Sequence, residues 1–107
     1  MKVTYVELSF PTEKDRMPPD FRCWAKVTID GIIVISEIKL IERENKTTNE
    51  IERFIRLPSR RSRVYTGEFV YTSIINIKDD ELRYHITEEI SKKYEKLTSR
   101  NNKNNEE

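Results

Sequence analysis

The sequence predicts an α+β domain: an antiparallel sheet of about five strands followed by one C-terminal amphipathic helix laid on a sheet face. Three observations predict it. Phe21 to Ile29 alternates strictly, with Phe21, Cys23, Ala25, Val27 and Ile29 on one side and Arg22, Trp24, Lys26 and Thr28 on the other. Asp30-Gly31 then gives a tight hairpin signal, because both residues accept positive φ. After about Lys78 the apolar period changes from two to helical, through Leu82, Ile86, Ile90, Tyr94 and Leu97.

The elements follow in order. Val3 to Phe10 reads as a first strand, with Val6, Leu8 and Phe10 on one face. Pro11 to Asp20 is a polar loop ended by Pro18-Pro19. The hairpin strand Phe21 to Ile29 returns as Ile32 to Ile41. Glu42 to Glu50 is a charged loop. Ile51 to Leu57 is a fourth strand, stopped by Pro58, which has no N–H for a ladder. Arg60 to Gly67 reads as a loop, and Glu68 to Ile75 as a fifth strand. Asp79, Asp80 and Glu81 fall in the first turn of the helix and Lys92, Lys93 and Lys96 toward its end, complementing the helix dipole.

A chain of 107 residues suits one domain, read as residues 1–97, with a polar tail, 98–107, expected to be disordered because it has nothing to bury. Lys and Arg number 20 against 19 Asp and Glu, so the net charge of +1 gives no strong overall field. Anion binding must then come from local clustering. One cysteine, Cys23, excludes an internal disulfide and fits a cytoplasmic setting. No apolar run is long enough to span a bilayer, so no membrane partner is expected.

Ile32, Ile33, Val34 and Ile35 are consecutive, which makes both faces of that strand apolar. A single helix covers one face, so a second copy is expected on the other. This points to a homodimer formed through the sheet.

Enzymatic readings find little support. His85 is the only histidine and sits inside the helix pattern, with no partner for zinc or for a triad. Cys23 lies on an apolar strand face with no base beside it. With two glycines, Gly31 and Gly67, there is no glycine-rich phosphate loop. No catalytic residue, metal, cofactor or small-molecule substrate is expected, and Asp79-Asp80-Glu81 reads as a helix start.

The cations are more informative. Arg60, Arg61 and Arg63 follow a strand end, with Arg53 and Arg56 upstream and no acid between Phe54 and Tyr65. Guanidinium forks suit phosphate, and Ser59 and Ser62 add hydroxyl donors. A solvated loop facing Glu42, Glu44 and Glu50 is the competing reading. Arg22, Trp24 and Lys26 interleave an aromatic with cations and suit base stacking; packing of Trp24 under the helix or in a dimer contact is the competing reading there. Lys92, Lys93 and Lys96, continued by Arg100 and Lys103, form a third basic group, which ordinary helix polarity also explains.

The stretch Phe54-Ile55-Arg56-Leu57-Pro58-Ser59-Arg60-Arg61, followed by Gly67-Glu68-Phe69 and Ile75-Asn76, resembles the signature of the bacterial SpoVG septation protein family. Val3-Thr4, Val6, Val27-Thr28-Ile29-Asp30 and Ile38-Lys39-Leu40-Ile41 match in the same order. The resemblance covers about Met1 to Leu97. It implies a small α+β domain that dimerises through its sheet. It also implies a cytoplasmic regulator that binds DNA, and in some members RNA, with effects on gene expression, sporulation or septation. By position it places the nucleic-acid surface on the Pro58-Ser59-Arg60-Arg61 loop and the basic helix. Together with the arginine run, the expected contact residues are Arg56, Ser59, Arg60, Arg61, Arg63, Lys92, Lys93 and Lys96. The chain departs from the family at the longer loop Glu42 to Arg53 and at Ser62-Arg63-Val64-Tyr65-Thr66, both bordering that surface. A protein-interaction adaptor, its basic loop on an acidic partner, is the alternative.

Overall fold

The computed structural model describes residues 1–63 and 66–106, with the side chains of 62, 63, 69–73 and 100–106 outside the description. It is an antiparallel sheet followed by a single C-terminal helix, in the order β1 (Val3–Ser9), β2 (Phe21–Ile29), β3 (Ile33–Glu44), β4 (Ile51–Arg56), β5 (Ser59–Arg63), β6 (Phe69–Ser73) and α1 (Asp80–Glu106). A short 3-10 turn at Glu13–Asp15 interrupts the loop after β1. Strands β1 to β4 form one four-stranded sheet in chain order, and β5 pairs with β6 as a separate two-stranded sheet.

The alternation of β2 does what it predicts. Cys23, Ala25, Val27 and Ile29 are buried against Ile86 and Ile90 of α1, together with Ile35, Ile38, Leu40 and Ile55. The β2–β3 turn is closed by the Ile32 N–H donating to the Ile29 carbonyl at 3.0 Å. Asp30 and Gly31 take φ of 54° and 66°, as their residue types allow. Asp79 starts the helix by capping: its Oδ1 accepts from the N–H groups of Glu81 and Leu82 at 2.9 and 3.2 Å. That fits the reading of the acidic run as a helix start.

Several expectations are corrected. The basic segment expected as a loop from Arg60 is strand β5, held in register by Arg60 opposite Thr72 and Arg61 opposite Tyr71. The Ile74 N–H donates to the Pro58 carbonyl at 3.0 Å, so the proline anchors the hairpin by the one backbone group it can offer. The fifth expected strand, from Glu68, is β6 of that hairpin and not part of the main sheet. The helix runs to Glu106, past the expected end near Thr98. Its apolar stripe stops where expected, but a helical ladder of backbone hydrogen bonds needs no buried face to continue. Lys92, Lys93 and Lys96 therefore lie in the helix interior and do not complement its C-terminal dipole.

Of the three irregularities of register in the main sheet, the two between β2 and β3 decide which of their side chains face away from the helix. Phe21 pairs with Ile41 while Cys23 pairs with the adjacent Leu40, so β2 carries one extra residue at Arg22. Ile41 points opposite to the core residue Leu40, and Phe21 goes with it. Both are buried, but on the outer face rather than in the main core. In the other direction, Ala25 pairs with Ile38 and Val27 with Ile35, so β3 carries the extra residue between them. Glu37 there takes φ of 58°, the left-handed conformation of a β-bulge. The bulge lets Ile35 and Ile38 both face the helix.

Ile32 is correspondingly a turn residue, 82% exposed, while Ile33 and Val34 remain 44% and 54% exposed and Ile35 is buried.

Candidate nucleic-acid interface

The outer face of the sheet is built by alternation from the core. Cys23, Leu40 and Ile55 pack toward α1, so their neighbours Trp24, Lys39 and Arg56 project from the other side. Register then aligns them. Trp24 is opposite Lys39, and Lys39 is opposite Arg56, one row across three strands. The row borders a cleft of about 780 Å³, lined also by Glu37, Leu57, Pro58 and Ser59. The β5 hairpin leaves from this end of the cleft, carrying exposed Arg60 and Arg61.

Trp24 is half-buried and held from behind. Its ring meets Phe21 edge-on with 4.9 Å between centroids. It does not pack under the helix, which lies on the opposite face. Lys39 and Glu37 make no hydrogen bond or ion pair among the described residues. Arg56 is close enough to Asp20 to help lower that carboxyl. The larger cause there is the hydrogen bond from Arg43 Nε to Asp20 Oδ2, at 2.8 Å.

The structure splits the expected basic residues into groups. Arg56 and Ser59 line the outer cleft, joined by Trp24 and by Lys39, which the sequence reading missed. Arg63 has its backbone in β5 opposite Phe69, and its side chain lies outside the described residues. Lys92, Lys93 and Lys96 line a different groove of about 320 Å³, beside Val3, Thr4, Tyr5 and Val6 of β1. Since β1 and β4 are the opposite edges of the main sheet, the helix lysines and Arg56 do not share one surface.

The patch expected from Arg22, Trp24 and Lys26 is also divided. The irregularity at Arg22 turns its side chain to the helix side, where Nε donates to Glu42 Oε1 at 3.1 Å. Arg53 Nε donates to the other oxygen of Glu42 at 2.7 Å, while its Nη1 donates to Glu95 of α1. Burial pushes the Glu42 carboxyl up, but the bonds from Arg53 and Arg22 outweigh it and leave it below the ordinary value of 4.5. Arg53 thereby ties the sheet to the helix, while Arg22 stays within the sheet and also donates to the Pro19 carbonyl at 2.8 Å. Lys26 stays outward, 3.7 Å from Glu7 on β1.

Cys23 is buried in the core, and His85 is engaged by the backbone of β1. Burial raises the Cys23 thiol to about 11, which keeps it protonated and unreactive near neutral pH. His85 accepts the Val3 N–H on Nε2 at 3.3 Å. Among the described residues no group of three or more potential ligands is placed to hold a metal, and no helix is long and apolar enough to cross a membrane.

Comparison with known families fits the architecture. The SpoVG family model matches residues 1–96, most of the chain, and the protein belongs to that family. Comparison with curated proteins gives no match.

Proposed function

We propose that this SpoVG-family protein is a non-enzymatic regulator that binds nucleic acid, DNA or RNA, through its outer cleft and the β5 hairpin. The observation that carries the reading is the cross-strand row Trp24–Lys39–Arg56, with Ser59 at its end and Arg60 and Arg61 beyond. Two cations fixed in adjacent strands, with hydroxyl and guanidinium donors beside them, follow a phosphate backbone at little cost in ordering, because the sheet already sets their spacing. Lys92, Lys93 and Lys96 flank from the other edge. Effects on sporulation or septation, and a cytoplasmic setting, belong to the same proposal through the family.

The second part of the proposal is a homodimer. Tyr5, Ile33 and Val34 are exposed at the hairpin end of the sheet, with Ile32 in the turn. Tyr5, Thr28 and Val34 form one row there. Trp24 lies four residues along β2 from Thr28, about 13 Å away at strand rise, so a dimer contact at the hairpin end leaves the cleft open. Light scattering at micromolar concentration should give twice the 12.9 kDa chain mass; a monomer overturns this part.

The adaptor reading uses the same arginines on an acidic protein. Titration with duplex DNA and with RNA, each competed by polyglutamate, separates the two. Regulator binding survives polyglutamate at equal charge, whereas an adaptor loses the nucleic acid to it.

A further inference from the structure

We propose that the Trp24–Glu37 end of the cleft is a pocket for one unpaired nucleobase, with guanine the base it fits. This rests on the nucleic-acid reading above and goes beyond it, because it names single-stranded nucleic acid as the ligand and a base-reading residue.

Three observations carry it. Trp24 is half-buried on the outer face and braced edge-on by Phe21, so part of the indole remains available to a ligand while its position is fixed. A duplex does not offer a base face to such a ring, whereas a single strand does, and aromatic platforms of this kind hold unpaired bases. Lys39 stands opposite Trp24 and Arg56 opposite Lys39, so phosphates flanking a stacked base have cations next to it.

The third observation is Glu37. An acid lining a cleft proposed to hold phosphate works against that anion and needs a reason. Its backbone is left-handed at φ of 58°, which is uncommon for a residue with a side chain, and the bulge that causes it re-aims the side chain. Glu37 lines the same cleft as Trp24, and no described residue pairs with its carboxylate. A carboxylate only accepts hydrogen bonds, on two oxygens side by side. Guanine alone among the bases presents two adjacent donors, N1–H and N2–H, on its Watson–Crick edge. Adenine and cytosine each place an acceptor next to their donor, and uracil sets its one donor between two carbonyls. An unpaired guanine stacked on Trp24 therefore gives Glu37 a bidentate partner, and that bond is unavailable when the guanine is paired in a duplex.

The test uses the full chain, whose only tryptophan is Trp24, so its emission reports this pocket directly. The probes are an oligouridine with one central guanine, the same strand with adenine, and a duplex. The guanine strand should quench the emission and bind more tightly than the adenine strand, while the duplex leaves the emission unchanged. Trp24→Ala should weaken single-strand binding by about 5- to 150-fold, the range that loss of one base stack gives. Trp24→Phe keeps a stacking ring and should retain most of the affinity, which guards against a folding effect. Glu37→Gln should bind the adenine strand more tightly and lose the guanine preference. Single-strand binding with unchanged emission, or a guanine preference that survives Glu37→Gln, overturns the pocket while leaving the nucleic-acid reading intact. Emission that follows protein concentration instead of oligonucleotide assigns this face to self-association and also overturns it. Failure of every strand and duplex to bind overturns both proposals.

Discussion

Arg53 Nε donates to Glu42 Oε2 at 2.7 Å, and this bond takes Arg53 out of the cationic surface although it is only three residues from Arg56. The two side chains point to opposite faces of β4. Arg53 ties the sheet to α1 through Glu42, Glu95 and the ring of Tyr94, 5.4 Å from its guanidinium carbon. Arg56 faces the open cleft. Strand alternation thus separates a structural arginine from a candidate binding one despite their proximity in sequence.

Glu42→Gln should cost about 1–3 kcal/mol, because it removes a charged acceptor from two part-buried guanidinium groups. It should also change the acid limb of stability. The folded Glu42 carboxyl titrates below its ordinary 4.5. Its contribution is therefore full above about pH 4.5 and is lost as pH falls through the lower folded value. Urea melts across that range should show a flatter acid limb for the variant. Equal acid limbs would remove Glu42 as its source.

His85→Ala should loosen the start of β1. The Val3 N–H loses its acceptor 82 residues away, worth about 1 kcal/mol. Amide exchange at Val3 should quicken while amides in the middle of β2 keep their protection. No change at Val3 means the bond is absent in solution.

Gly31→Ala should destabilise by about 1 kcal/mol or somewhat more through the backbone alone. Its φ is 66°, and an added Cβ meets nothing within 4 Å. Gly31→Asn should cost less, since Asn tolerates this conformation. Thermal melts that rank Ala above Asn contradict the turn geometry.

Much of the frame was readable from residue order. The alternation of Phe21 to Ile29 gave the bounds of β2, Asp30-Gly31 gave the turn, and the change of period gave α1. The β5 strand was not readable, because Ser59 to Arg63 has no apolar alternation and is defined by pairing with β6. The bulges at Arg22 and before Ile38 were equally hidden. An extra residue in one strand leaves its mark in the partner's register, not in the pattern of either strand. For the same reason the row Trp24–Lys39–Arg56 had no sequence signal beyond Lys39 standing as a polar residue between Ile38 and Leu40. The placement of Arg56 and of Lys92, Lys93 and Lys96 toward opposite edges of the sheet was also not readable, because charge along the chain carries no information about which sheet edge it reaches.

The measurement that most directly tests the account is the salt dependence of nucleic-acid binding for three proteins. These are the wild type, a Lys39→Ala/Arg56→Ala variant, and a Lys92→Ala/Lys93→Ala/Lys96→Ala variant, each checked for folding by circular dichroism. If the outer cleft holds the phosphates, the first variant should bind more weakly and flatten the log–log salt slope by about 0.7 per lost contact on a single strand, or about 0.9 on duplex DNA. The helix variant should change both by less. A folded cleft variant with the wild-type affinity and slope contradicts the account, and a larger loss in the helix variant moves the interface to the β1 edge.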